Sequence, residues 1–261
     1  MEALKAVILG IVEGATEFLP VSSTGHLIIA ADWVNYPAAE RATFEIFIQL
    51  GAILAVYWHY RSDLLDLVRR AARERSAREL IAKVLLAFLP AAAIGLLLHH
   101  WIEDHLFSIH AVAGALIVGG IIIWLVEQRS WRPTVTQMEA MGWRQAGWVG
   151  LAQVTSLYPG VSRAGATIIG GMLTGMSRPA ATQFSFYLAL PTLTAASLFS
   201  LAKAAKTITV SEADSLAIGF ITAFITALLV IRGFLRYVQT HDFRPFAYYR
   251  IVVGALLLLL A

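Results

Sequence analysis

The chain has 261 residues, 58% of them hydrophobic and only 14% charged, with a formal net charge of +3 and a mean hydropathy of +0.70. A soluble domain carries about 25% charged residues, so this chain cannot cover a water-facing surface; soluble enzymes, disordered chains and fibrous repeats are excluded. There is no cysteine, which removes disulfides, thiolate zinc sites and cysteine nucleophiles, and the basic residues fall between apolar segments, where they read as membrane topology rather than as a nucleic-acid surface.

Taken in chain order, the first apolar stretch, 4–31, is broken at Pro20-Val21-Ser22-Ser23-Thr24-Gly25-His26. Glu13 and Glu17 interrupt its apolar region, so it is no signal peptide. Spans of about 20 residues, enough to cross a hydrocarbon core of about 30 Å, are predicted at 44–60, 84–100 and 110–127. A second broken stretch, 145–176, is interrupted at Pro159-Gly160-Val161-Ser162-Arg163, and further spans follow at 183–203, 216–236 and 246–261. Irregular backbone at membrane depth is tolerated only where protein or water satisfies it, so both broken stretches read as re-entrant helix–loop–helix hairpins.

Arginines and lysines concentrate in 61–83, in the loop holding Arg129, Arg132 and Arg144, and in a last group of Arg232, Arg236, Arg244 and Arg250. The positive-inside rule makes these three stretches cytoplasmic loops. The stretches 101–109 and 204–215, with Lys206 alone, are left outside. Both termini then lie outside, and the two hairpins enter from opposite faces.

An internal repeat matches this asymmetry. "GIVEGATEFLPVSSTGHLII" (10–29) aligns with "GLAQVTSLYPGVSRAGATII" (150–169), pairing Glu13 with Gln153, Pro20 with Pro159, Ser22 with Ser162 and Gly25 with Gly165. The expected fold is therefore an all-α polytopic membrane protein, one membrane domain over 1–261, with six transmembrane helices and two re-entrant hairpins. A first repeat (1–128) and an inverted second repeat (143–261) would meet at a site near mid-membrane, as broken helices do in inverted-repeat folds.

The two breaks suggest phosphate chemistry. Ser22 and Ser162 are placed to cap restarting helices, whose N-termini attract anions. Arg163 adds a fork-shaped cation suited to phosphate oxygens, and Ser22, Ser23, Thr24 and Ser162 add hydroxyls. Glu13 and Glu17, four apart, share a helix face; charges inside membrane segments default to function. The pair suits a Mg²⁺ or Ca²⁺ site or general-base work, and His26 suits proton transfer or nucleophilic attack.

Other features carry plainer readings. His99, His100, His105 and His110 read as solvated loop residues, and Gly171 to Gly175 as a packing GxxxG. Trp101, Trp124, Trp131, Trp143, Tyr237, Tyr248 and Tyr249 read as an interfacial aromatic belt. Arg41 and Arg178 read as snorkelling anchors, and Glu45 and Gln49 are weaker candidates to line a cavity.

The motifs "GIVEGATEFLPVSSTGHLII" and "LYPGVSRAGATII" closely resemble the signatures of the undecaprenyl-diphosphate phosphatase, or bacitracin-resistance, family, over the whole chain. The resemblance implies a hydrolase of the bacterial inner membrane that converts undecaprenyl diphosphate to the monophosphate on the periplasmic side and so recycles the cell-wall lipid carrier. It implies roles for Glu17, Ser23, His26 and Arg163 in catalysis, for Ser22, Thr24, Gly160, Ser162 and Arg163 in phosphate binding, and for Glu13 and Glu17 with a divalent cation. Ala164 stands where the commoner family form has serine, so no phosphate role carries to that position; Thr155-Ser156 replaces the commoner Ala-Leu. The nucleophile is left open among serine, histidine and water. A lipid-phosphate transporter on the same scaffold is the rival reading. The partners expected are the lipid substrate and membrane lipids, with no nucleic acid; the oligomeric state is open, a homodimer included.

Overall fold

The computed structural model describes residues 2–106, 108–129, 132–204 and 213–260. The chain is an all-helical, multi-pass membrane protein. Its helices are α1 (Glu2–Thr16), α2 (Ser23–Trp33), α3 (Ala38–His59), α4 (Arg61–Ala71), α5 (Arg75–Leu106), α6 (Ile109–Glu127), α7 (Trp143–Val154), α8 (Arg163–Leu173), α9 (Arg178–Ala204), α10 (Ala213–Tyr237) and α11 (Arg244–Leu260). Within α3, α5, α6, α9 and α10 lie five segments long and apolar enough to cross a bilayer. The sixth expected span, 246–261, falls in α11, which has 17 described residues.

Both expected interruptions are present, between α1 and α2 and between α7 and α8. Elsewhere the sequence reading needs correction. The basic segment 61–83 is not a loop: it forms the amphipathic helix α4 and the opening turns of α5. The outer stretch 101–109 is largely helical too, since α5 runs on to Leu106. Lys206 and Trp131 lie outside the described residues, as does the side chain of His99.

Lipid tails are as apolar as leucine, so burial of apolar area alone does not hold such helices together; close backbone approach and buried polar contacts do. Accordingly α10 packs tightly along both α1 and α3, α11 along α6, and α5 along α7. Gly171 and Gly175 are not a shared helix face. Gly171 packs on Ala181, whereas Gly175, at φ +94°, ends α8 in a Schellman motif: Gly175 N–H donates to Met172 O and Met176 N–H to Gly171 O. Asn35, at φ 51°, ends α2 the same way, with Tyr36 N–H on Ala31 O and Asn35 N–H on Asp32 O.

At the predicted cytoplasmic end, Arg178 is no snorkelling anchor. Its Nε donates to buried Glu127 at 2.9 Å and its Nη2 to the other carboxylate oxygen. Phe243 N–H bonds the same carboxylate at 3.0 Å, and Arg244 Nη2 bonds the Glu127 carbonyl at 3.1 Å. One buried acid thus ties α6 to the first residues of α9 and α11.

Candidate active site

Each break passes through a serine held in a backbone region that L-residues avoid. Ser22 has φ 72°, ψ 99°, and Ser162 has φ 76°, ψ 116°; such strain costs about 1–3 kcal/mol per residue and clusters at functional sites. Ser162 caps α8 as expected, its Oγ accepting from Gly165 N–H at 3.1 Å and donating to Leu19 O of the other break at 3.4 Å. Ser22 occupies the N-cap position of α2 but makes no side-chain cap bond. Its carbonyl instead lies 2.7 Å from His26 Nδ1.

Three expected residues meet across the breaks. Ser23, the first residue of α2, donates its hydroxyl to Glu17 Oε2 at 2.5 Å. Arg163, the first residue of α8, donates from Nη2 to Glu17 Oε1 at 3.1 Å. Its Nη1 reaches the Ser185 carbonyl and hydroxyl at 3.2 and 3.4 Å, and its guanidinium lies over the Phe18 ring at 5.7 Å. Arg163 and Glu17 are both buried. A buried ion pair survives desolvation only with such additional hydrogen bonds, and here they fix the carboxylate beside a hydroxyl. A hydroxyl, a carboxylate and a cation are thus joined by hydrogen bonds across the two breaks.

Two buried atoms at this centre have no hydrogen-bond partner among the described residues: Glu13 Oε1 and Arg163 Nε. Gln153, aligned with Glu13, is by contrast satisfied, donating to Ala87 O at 3.4 Å and accepting from Thr192 at 3.2 Å. Among the described residues no group of three or more His, Cys, Asp and Glu forms a metal cage. Thr24 is half-buried in the first turn of α2. Gly160 has φ +93°, and a Cβ there would fall 2.6 Å from Val112 O, so its backbone alone demands glycine.

Glu45 and Gln49 each have a partner of their own, and the Glu45 charge also reaches Glu13. Glu45 accepts from Arg41 Nε at 2.8 Å, and Gln49 accepts from Ser197 across α3 and α9 at 2.8 Å. Arg41 also bonds Asp32 at 3.2 Å, so it is more than an anchor.

Sequence reasoning placed a span in α11 but missed what that helix contributes to the breaks. Arg250, counted with the cytoplasmic arginines, is 0% exposed inside that helix. Its Nη1 donates to Pro20 O (3.0 Å) and Val161 O (2.9 Å), its Nη2 to Gly160 O (3.0 Å) and Ala115 O (3.1 Å), and its Nε to Leu116 O (3.3 Å). A single nitrogen therefore bridges the two breaks. Tyr249, assigned to the aromatic belt, places its hydroxyl 2.6 Å from His26 Nε2. The missed signal was a charge within an apolar span, which defaults to function.

Comparison with known proteins bears on the same residues. The family described as "Bacitracin resistance protein BacA" matches residues 6–256. The chain belongs to this family. It is 48% identical over 258 residues to the undecaprenyl-diphosphatase of Caldanaerobacter subterraneus subsp. tengcongensis, covering 98% of this chain and 95% of that protein. The undecaprenyl-diphosphatase of Nitrosomonas europaea is 48% identical over 99% of this chain and 94% of its own length. That of Methylobacillus flagellatus is 49% identical over 98% and 96%. The bacitracin-resistance match spans both breaks and reaches α11, so it covers Glu17, Ser23, Arg163 and Arg250 alike.

Proposed function

We propose that this protein is a membrane undecaprenyl-diphosphate phosphatase that returns the cell-wall lipid carrier to its monophosphate, whose site is built by the two breaks together. The observation that carries the site assignment is Glu17, which accepts from Ser23 of its own break at 2.5 Å and from Arg163 of the other at 3.1 Å. Ser23 Oγ attacks the terminal phosphorus as its proton passes to Glu17. Glu17 returns that proton to the bridging oxygen as its bond to the phosphorus breaks, and undecaprenyl phosphate leaves. Water, activated by the same carboxylate, then splits the phosphoserine and releases inorganic phosphate. Arg163 Nε, without a protein acceptor, takes a phosphate oxygen, and uncapped amides at the start of α2 face the same charge. Phosphoryl transfer needs this positioning and charge neutralisation above all.

A divalent cation fits the donor set, since Mg²⁺ is commonly held by one or two carboxylates plus substrate phosphates. Glu13, with its unpartnered oxygen, and Glu17 would hold it. When bound, it neutralises the charge of the diphosphate.

Several pairs of features support an inverted repeat. The φ values of Ser22 and Ser162 nearly coincide, and α2 and α8 end in like Schellman motifs. α1 packs on α10 as α7 packs on α5, and the aligned Gly10 and Gly150 both lie against the partner backbone. With hairpins entering from opposite faces of the inner membrane, the site opens to the periplasm. Single cysteines at 72, 136 and 241 should be shielded from an impermeant thiol reagent in intact cells, whereas 105 and 210 should label; position 210 lies outside the described residues.

The direct test is phosphate release from undecaprenyl diphosphate by purified protein in detergent, with and without chelator. Release of one phosphate per lipid is expected. Broken helices also suit a transporter, which would give no phosphate in detergent.

A further inference from the structure

α11 brings two adjacent polar side chains to the breaks. Arg250 holds the backbone of both, and Tyr249 holds His26. The Tyr249 and His26 rings lie nearly parallel, 4° apart in orientation with centroids 5.5 Å apart, and the hydroxyl lies 2.6 Å from Nε2. The other ring nitrogen is already committed. Nδ1 lies 2.7 Å from the Ser22 carbonyl, and a carbonyl only accepts, so Nδ1 carries a hydrogen. In the neutral imidazole Nε2 is then the acceptor and Tyr249 donates; in the imidazolium Nε2–H donates to the phenol oxygen. Nε2 is thus the nitrogen of His26 that can gain or lose a proton, and the phenol is the group it exchanges that proton with.

His26 stands three residues after Ser23, on the same face of α2. The bonds of Arg250 to Pro20, Gly160 and Val161 fix α11 against both breaks. The neighbouring Tyr249 is therefore placed by the same backbone that places Ser22 and Ser23. An interfacial girdle accounts for a half-exposed aromatic ring; it does not account for a hydroxyl hydrogen-bonded to the histidine of the motif.

We infer that Tyr249 is a positioning residue of the phosphatase site, acting through His26: its hydroxyl on Nε2, with the Ser22 carbonyl on Nδ1, fixes the imidazole beside Ser23 and is the group through which Nε2 gains or gives up a proton. The inference rests on the phosphatase reading above. With the hydroxyl removed, the ring keeps its bond to Ser22 but pivots about it, and Nε2 loses its proton partner.

The test compares phosphate release by wild type, Tyr249→Phe and Tyr249→Leu, each also in a His26→Gln background. Phenylalanine keeps the ring and its packing, so a conventional elution profile and thermal midpoint are expected for it. Loss of an oriented acid–base group predicts a fall in kcat of about tenfold or more for Tyr249→Phe, with KM within about twofold. Tyr249→Leu should match Tyr249→Phe, because the hydroxyl and not the ring matters. In the His26→Gln background, read at raised enzyme concentration, neither change should subtract more than about a further twofold. Wild-type protein that releases no phosphate overturns the phosphatase reading and this inference together. Active wild type with an equally active Tyr249→Phe, an effect on KM alone, or an undiminished loss in His26→Gln overturns the Tyr249 assignment and leaves the phosphatase reading standing.

Discussion

At the first break the chain leaves α1 at Glu17 and re-enters helix at Ser23; at the second it re-enters with Arg163 as the first helical residue. The backbone is alike at both, down to a serine at φ 72° or 76°, yet the side chains differ in charge. The first break carries one acid, Glu17, with the Ser23 hydroxyl beside it, while the second carries the cation Arg163. One helix turn earlier the difference recurs, with Glu13 unsatisfied at one oxygen and Gln153 hydrogen-bonded at both ends. Two acidic breaks would repel a diphosphate, and two basic ones would lack a base. On the proposed mechanism, two breaks of like backbone supply complementary parts of one reaction.

The largest expected loss of activity from the acidic side follows Glu17→Gln. An amide keeps a bond to Arg163 but cannot take the Ser23 proton, so kcat should drop by about 10²–10³-fold in the phosphate-release assay. Arg250→Lys strikes what the breaks share. Three ammonium donors cannot serve five carbonyls, and each buried carbonyl left bare costs about 1–3 kcal/mol. The thermal midpoint in detergent should fall by many degrees and activity with it; an unchanged midpoint would show that the clamp is dispensable.

Glu13→Gln and Gln153→Glu should move in opposite directions. The first removes a buried carboxylate with an unpartnered oxygen and should raise the midpoint by a few degrees, about 1 kcal/mol or more, while lowering turnover. The second should lower the midpoint. If a divalent cation uses Glu13, chelator should slow wild type markedly and Glu13→Gln little. The smallest effect separates the two serines. Ser22→Gly relieves backbone strain and should stabilise by up to about 1 kcal/mol, whereas Ser162→Gly also loses a cap, at a cost of a few tenths of a kcal/mol when glycine replaces it, and should gain less. A larger gain at 162 would mean that the cap contributes nothing.

Much of this asymmetry was legible in the sequence. The Pro-containing interruptions, the Glu pair and the Pro-Gly-Val-Ser-Arg run located both breaks, because polar residues inside apolar stretches have no neutral explanation in a bilayer. The contribution of α11 was not legible in the same way. Counting arginines toward topology treats each as a loop charge, and so placed Arg250 with Arg244 although it follows an apolar start to the helix. Tyr249 and Arg178 failed for a related reason: belts and snorkelling describe distance from the membrane surface, not partners. The contacts of Arg250 with Pro20, and of Tyr249 with His26, join residues over 220 positions apart, and nothing in local pattern encodes such pairing. The segment 61–83 was misread because α4 sets Leu64, Leu65 and Leu67 among its charged residues as an amphipathic helix, which resembles a basic loop when only charge is counted.

The central claim is that Ser23 from one break and Arg163 from the other act on one phosphate. It is tested most directly by measuring phosphate release from undecaprenyl diphosphate with Ser23→Ala, Arg163→Lys and the double variant, each checked for folding by thermal midpoint. Lysine keeps the charge of Arg163 but not its fork. Each single change should cost about 10²-fold or more in kcat, and the double should be little worse than the poorer single, because groups that work as a unit are not additive. Losses that multiply, or a well-folded variant of either break that retains near-normal turnover, would contradict a single site shared by the two breaks.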